Sequence, residues 1–109
     1  MVQQKIAGGN DIARIRYAFK RSKVRFNVLE ALAERETTYC GEICRMTGYS
    51  ARDIVGVIRG NGDYTAKLSF VELGLVNESK DEEDKRLTRY AISDYGRSVY
   101  DKIKVDLQE

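Results

Sequence analysis

Two short helical patterns joined by a glycine turn occupy the segment TYCGEICRMTGYSARDIVGVIR, residues 38–59. The turn is predicted at Thr47-Gly48-Tyr49, where the apolar periodicity stops. Ser50 then begins the second helix, because a serine side chain accepts a hydrogen bond from a backbone amide near a helix start. Asp53 is shorter than the glutamate of a capping box, so we expect only the serine half of that cap. The pattern predicts a helix-turn-helix motif.

Helical spacing continues on both sides of this motif, and one extended pair follows it. In chain order, the predicted elements are helices at about 10–21, 22–35, 39–46, 50–59 and 64–73, strands at 75–79 and 87–92, and a last helix at about 93–107. Gly60-Asn61-Gly62 ends the helix of 50–59, and Asp63 starts the next one. The strands form a hairpin with a charged tip at 80–86. We predict a mainly α fold with a small β-hairpin, in one domain covering residues 1–109.

Composition excludes several classes of protein. Charged residues make up 33% of the chain and hydrophobic residues 42%, values typical of globular proteins with a charged surface. No apolar run approaches the ~20 residues of a membrane span, and the first ten residues, MVQQKIAGGN, lack the apolar core of a secretion signal. Two cysteines are too few for a disulfide framework. These features predict a cytoplasmic protein that has free thiols and no membrane partner.

Charge is unevenly distributed although the net charge is only +2. Residues 1–59 hold 11 Lys and Arg against 6 Asp and Glu, whereas residues 60–109 hold 8 against 11. The densest block has six cations and no acid between positions 14 and 25. Four of its members are predicted to contact phosphates: Arg14, Arg16, Lys20 and Lys23. A solvated helix face is the alternative explanation of this block.

The chain contains no histidine, which removes the most frequent general base and the Ser-His and Cys-His nucleophile pairs. No phosphate-binding glycine motif follows a strand. Cys40 and Cys44 lie four residues apart on one helix face, but two thiols alone do not complete a metal site. We therefore predict a non-enzymatic protein without metal or other cofactors, in which both cysteines pack against neighbouring helices.

Three segments resemble winged helix-turn-helix proteins, the small transcriptional regulators of archaea and bacteria. They are GEICRMTGYSARDI, the ELGLV that precedes the hairpin, and LTRYAISDYGRSVY in the returning strand and last helix. The resemblance covers residues 22–93 and leaves 10–21 and 94–108 as extra N- and C-terminal helices. In most relatives the recognition helix continues unbroken into the strand at Gly-Leu-Val, whereas here residues 60–63 split it.

The resemblance implies a sequence-specific regulator that binds double-stranded DNA. A recognition helix presents its N-terminal residues to base edges in the major groove, and Arg52 is placed to contact a guanine. Alternatively, Arg52 forms an ion pair with Glu42 or Asp53 and does not contact a base. The hairpin, or wing, would contact the DNA backbone from its flanks, because the four acids at 81–84 repel phosphate. Alternatively, the acidic tip only keeps an exposed hairpin soluble and unpaired. The DNA-binding residues implied are Arg45, Thr47, Tyr49, Ser50, Arg52, Arg59, Lys80, Lys85, Arg86 and Arg89.

A homodimer is predicted because one such domain reads only half of a symmetric site. Two apolar stripes on the terminal helices exceed what a minimal winged-helix core uses. They are predicted to form the dimer surface through Ile12, Ile15, Phe19, Val99, Ile103 and Leu107. Alternatively, both helices pack on their own domain. Two other functions remain open at this stage: a winged-helix adaptor for proteins, and a nucleic-acid binder without sequence preference. No small-molecule effector is identified.

Overall fold

Five helices and a small antiparallel sheet form the predicted mainly α winged helix-turn-helix fold. The computed structural model describes residues 9–62 and 64–108. The helices are α1 Gly9–Arg21, α2 Lys23–Ala33, α3 Cys40–Thr47, α4 Ala51–Arg59 and α5 Asp94–Gln108, and the strands are β1 Thr38–Tyr39, β2 Val76–Lys80 and β3 Thr88–Ile92. Across the part of the chain described here, every helix is too short or too polar to cross a membrane.

The sheet has the order β1-β3-β2, with β3 in the centre. The predicted hairpin is present, and its register pairs Val76 with Ile92 and Lys80 with Thr88. The strand β1 was not predicted, because two residues are too few to show alternation. It pairs Thr38 with Tyr90 and thereby joins the chain that precedes α3 to the base of the wing.

The predicted helix at 64–73 is wrong. Only Ala66–Leu68 forms a short 3-10 helix, and turns follow up to Gly74. The amides of Phe70 and Val71 donate to the carbonyls of Val57 and Ile58, at 3.1 and 3.0 Å. These bonds satisfy carbonyls at the end of α4 that have no partner within the helix. Because they commit the two amides to another helix, a regular helix cannot form at 64–73. Asp63, the predicted cap, lies outside the described residues.

The terminal helices pack on their own domain, which corrects the predicted dimer surface. Ile15, Phe19, Val99 and Ile103 are at most 3% exposed in the single chain. The ring of Phe19 stacks on Phe70 with centroids 5.7 Å apart. These four side chains are therefore core residues rather than a surface available to a second chain. The side chains of the other two predicted members, Ile12 and Leu107, lie outside the described residues.

Candidate nucleic-acid interface

The turn between α3 and α4 is built from a left-handed glycine and two side chains bonded within the protein. Gly48 has φ of +81°, a conformation that L side chains rarely adopt, and its amide donates to the Cys44 carbonyl. The Thr47 hydroxyl donates to the Ile43 carbonyl at 2.7 Å and accepts from the Tyr49 amide at 3.2 Å. Thr47 and Tyr49 are two of the predicted DNA contacts. Their side chains are half-buried, and the hydrogen bonds of Thr47 hold the turn in place.

Tyr49 is anchored to α2, a contact that the sequence did not reveal. Its hydroxyl accepts a hydrogen bond of 2.8 Å from the Asn27 side-chain amide. The two residues are 22 positions apart, and no local spacing relates them. The bond fixes the start of α4 relative to the helix behind it.

The cap of α4 forms as predicted, with only its serine half. The Ser50 hydroxyl accepts from the Asp53 amide at 3.2 Å. The Asp53 carboxylate instead accepts from the Tyr64 hydroxyl, also at 3.2 Å. Ser50 is exposed, and its hydroxyl keeps its own hydrogen for a further acceptor such as a phosphate oxygen.

The outer face of α4 is open to solvent and positively charged. Ile54, Val57 and Ile58 are fully buried on the inner face. The opposite side presents four exposed residues and one half-buried residue: Ser50, Ala51, Arg52, Arg59 and Val55. Arg45 at the end of α3 is also exposed. An open cationic helix face of this kind fits the dimensions and charge of a DNA major groove.

Glu42 and Asp53, the two carboxylates considered as partners of Arg52, also interact with other side chains. Glu42 accepts from the Thr38 hydroxyl at 3.3 Å and lies 3.8 Å from the guanidinium of Arg35. Asp53 accepts from Tyr64. The Arg52 carbonyl accepts from the Asn61 side-chain amide at 3.0 Å, so that the loop after α4 holds the backbone of this residue.

One edge of α4 is covered by the chain itself. The Tyr64 ring lies over Gly56, which is buried. The glycine allows this close approach of the chain's own loop, since a β-carbon at position 56 would lie 2.3 Å from Tyr64 Cδ2.

Gly56→Ala is expected to lower the free energy of unfolding by about 1–3 kcal/mol, the usual cost of overpacking. The new methyl group would displace Tyr64, and the measurement is a urea denaturation curve. The matched test repeats the substitution in a Tyr64→Ala background, where the closest conflict is removed and only the contact with Asn61 Nδ2, at 2.8 Å, remains, so the cost should be smaller. An equal cost in both backgrounds would contradict this account of the loop.

The wing is organised by a buried carboxylate at the start of its tip, directly after β2. Asp81 was assigned to an exposed acidic tip, but it is 7% exposed. It accepts from the Tyr39 hydroxyl at 2.8 Å, from Arg89 Nη2 at 2.6 Å and from the amides of Glu83 and Asp84. Arg89, a predicted DNA contact, is therefore engaged inside the wing.

The other predicted wing contacts lie on the strands and in the loop between them. Arg86 is 90% exposed and binds Asp84 through two nitrogens, at 3.0 and 3.1 Å. Lys80 donates to the Thr88 hydroxyl at 3.3 Å, and Lys85 is exposed. Facing the wing from α4, Arg59 Nε lies 3.5 Å from the Glu78 carboxylate. The exposed cations of the wing and of the adjacent end of α4 are Arg59, Lys80, Lys85 and Arg86.

Asp81→Asn is expected to loosen the wing at any pH above the ordinary carboxyl pKa of about 3.9. Hydrogen bonds from Tyr39, the Asp84 amide and Arg89 hold the pKa of the Asp81 carboxyl far below its ordinary range. Its stabilising effect is therefore complete above the ordinary carboxyl pKa of about 3.9, and it is lost only as pH falls below that value. Hydrogen exchange of the Glu83 and Asp84 amides is the measurement. In the natural protein, protection that declined between pH 7 and 5 would contradict this assignment.

The four cations of the basic block that were predicted to contact phosphates differ in their interactions with the rest of the protein. Arg14, Arg16, Lys20 and Lys23 are all exposed. Arg16, however, pairs with Asp106 of α5 through a contact of 2.8 Å. This ion pair joins the two terminal helices, so Arg16 is less available to phosphate than its neighbours.

Cys40 and Cys44 are half-buried thiols packed against the core. Among the described residues, no group of three or more metal-ligating side chains occurs. Burial and the neighbouring Cys44 raise the pKa of the Cys40 thiol to about 11. The Cys40 thiolate, the form that reacts, is therefore scarce at neutral pH.

Alkylation of Cys40 at pH 8 is expected to be slow in the folded protein. Raising a thiol pKa from 9.0 to about 11 lowers its thiolate fraction about 100-fold at this pH. Iodoacetamide labelling followed by peptide mass spectrometry gives the rate for this position alone. The urea-unfolded chain is the reference, and equal rates in the two states would contradict the raised pKa.

The family is shown by comparison of sequences. The sequence model described as EarA-like matches residues 15–103, which include the helix-turn-helix, the wing and most of both terminal helices. The chain belongs to the EarA-like family. Among curated proteins, no sequence matches this EarA-like chain.

Solved structures confirm the winged helix-turn-helix fold. BpsR of Bordetella bronchiseptica is 18% identical, with a TM-score of 0.68 over 92% of this chain and 67% of its own. BldR of Sulfolobus solfataricus is 19% identical, with a TM-score of 0.66 over 91% and 67%. AbfR bound to DNA is 16% identical, with a TM-score of 0.65 over 87% and 63%. The chain spans about half to two thirds of the length of the first similar structures.

Proposed function

We propose that this EarA-like protein is a transcriptional regulator that binds double-stranded DNA in a sequence-specific manner. The outer face of α4 would enter the major groove, where Arg52 contacts a base edge and Ser50 and Arg59 contact phosphates. The exposed wing cations, Lys80, Lys85 and Arg86, would contact the neighbouring backbone. Because its target is chromosomal DNA, we place the protein in the cytoplasm.

The open cationic face of α4 carries this proposal. Ser50, Arg52 and Arg59 are exposed on the helix whose opposite side is fully buried. The buried side fixes the helix in position, while the exposed side matches a polyanion in charge. Support also comes from the fold, since structures of similar fold include AbfR, solved bound to DNA, and BldR, described as a transcriptional regulator.

A homodimer is part of the proposal, because a symmetric protein suits a symmetric operator. The buried side chains of α1 and α5 do not supply the interface, so the dimer would use exposed residues of these helices. Sedimentation at micromolar concentration measures the oligomeric state. Sedimentation as a monomer would contradict the proposed dimer, but it would not affect the proposal that α4 binds DNA.

Selection from a random duplex library tests sequence-specific binding. The proposal expects an enriched sequence that binds more tightly than its scrambled counterpart. Affinity should fall steeply with salt, with a slope of about −0.9 in log K against log salt for each phosphate contact. Binding of enriched and scrambled duplexes with equal affinity would contradict sequence specificity, and absence of binding would contradict the function.

A further inference from the structure

A groove lies between α1 and the loop that follows α4. Its volume is about 280 Å³, and it is lined by Arg14, Tyr17, Thr65, Lys67 and Leu68. We call this surface the flank groove. Of the lining residues in the described part of the chain, none carries a carboxylate. Two cations, a hydroxyl and an exposed aromatic ring therefore share one surface.

The flank groove is continuous with the recognition helix. Tyr64, immediately before the groove residue Thr65, covers Gly56 and bonds Asp53, both on α4. The guanidinium of Arg25 lies 5.6 Å from the centre of the Tyr64 ring. Tyr64 therefore connects the first groove residue of this loop to α4, and we expect one bound duplex to contact both α4 and the groove.

Two side chains of α1 are held in place at the edge of the groove. Arg21 donates to the Tyr17 hydroxyl at 3.0 Å, and its guanidinium lies 5.3 Å from the centre of the Tyr17 ring. Tyr17 is nevertheless 62% exposed. An exposed tyrosine beside an arginine offers hydroxyl and guanidinium donors to phosphate and sugar oxygens. The two side chains thus already contact each other in the protein alone.

We infer that the flank groove binds the phosphate backbone of DNA outside the base pairs contacted by α4. The inference rests on the proposed function and extends the contact surface from the helix-turn-helix to α1. Charge selects the occupant, since the groove and its edge carry Arg14, Arg21 and Lys67. The contacts are to backbone, so they add affinity without adding sequence preference.

The test compares two duplexes and two variants. The long duplex is the enriched sequence with ten further base pairs on each side, and the short duplex ends at the base pairs that selection fixes. Arg21→Gln/Lys67→Gln removes two cations of the groove surface, and Lys102→Gln on α5 is the control for general charge. Thermal melting verifies that each variant is folded.

The inference expects the double variant to lose affinity for the long duplex and to retain it for the short one. At 0.15 M salt each lost phosphate contact lowers affinity about 5-fold, and the salt slope changes by about 0.9. Lys102→Gln should bind both duplexes like the natural protein. Natural affinity of the double variant for the long duplex would overturn the inference and leave the proposed function intact.

Two further outcomes would also overturn it. If the double variant lost affinity equally for both duplexes, the lost contacts would lie within the recognised base pairs. If its sedimentation changed in the absence of DNA, the groove would instead bind a second copy of the chain. If the natural protein binds neither duplex, the proposed function fails and the inference fails with it.

Discussion

Replacing both Arg52 and Arg59 by alanine is expected to weaken binding of the enriched duplex about 100-fold or more. An arginine that contacts a guanine contributes about 1–3 kcal/mol of discrimination, and the proposed interface gives Arg59 a phosphate contact next to the wing. The two side chains are exposed on one side of α4, whose inner face is buried. Fluorescence anisotropy with a labelled duplex is the measurement.

The single variants separate the two roles. Arg52→Ala should reduce discrimination at one base position, whereas Arg59→Ala should weaken all sequences alike and lower the salt slope by about 0.9. Arg35→Ala, which removes a half-exposed arginine from the loop after α2, is the charge-matched control for each single variant. Binding by the double variant that equals binding by the control would remove α4 from the interface.

Phe19→Ala is expected to lower the free energy of unfolding by about 3–5 kcal/mol, the usual cost of removing a buried aromatic ring. Phe19 is 2% exposed and stacks on Phe70. Because this packing lies within one chain, the loss should not depend on protein concentration. It should be the same at about 1 μM and about 100 μM protein. Urea denaturation at both concentrations measures it.

Tyr17→Ala is the control from the same helix. Tyr17 is 62% exposed, and its removal should change the free energy of unfolding by no more than about 0.5 kcal/mol. A Phe19→Ala effect that depends on protein concentration would restore the predicted dimer surface. An effect as small as that of Tyr17→Ala would contradict the packing of α1 on the core.

Local patterns in the sequence predicted the elements whose determinants are local. The start of α4 follows from Ser50, and its end from Gly60. The hairpin follows from two extended runs around a charged segment, and its observed strands begin one residue later than predicted. In each case the controlling residues lie within a few positions of the element, so their spacing was sufficient.

The missed features depend on contacts between distant positions. Tyr39 and Asp81 meet across 42 residues, and no spacing in the chain relates them. The predicted helix at 64–73 failed because its amides bond to the end of α4. The stripes on α1 and α5 were correctly identified as apolar, but periodicity does not show whether an apolar face meets its own domain or a second chain.

Titration of the isotope-labelled protein with the enriched duplex, followed by NMR, tests the central claim most directly. Binding through the outer face of α4 predicts the largest amide shifts at residues 50–59 and 80–89, with smaller shifts at 14–21 and 64–68. Shifts centred on α5, or shifts that are equally large with the scrambled duplex, would contradict recognition of DNA by this helix.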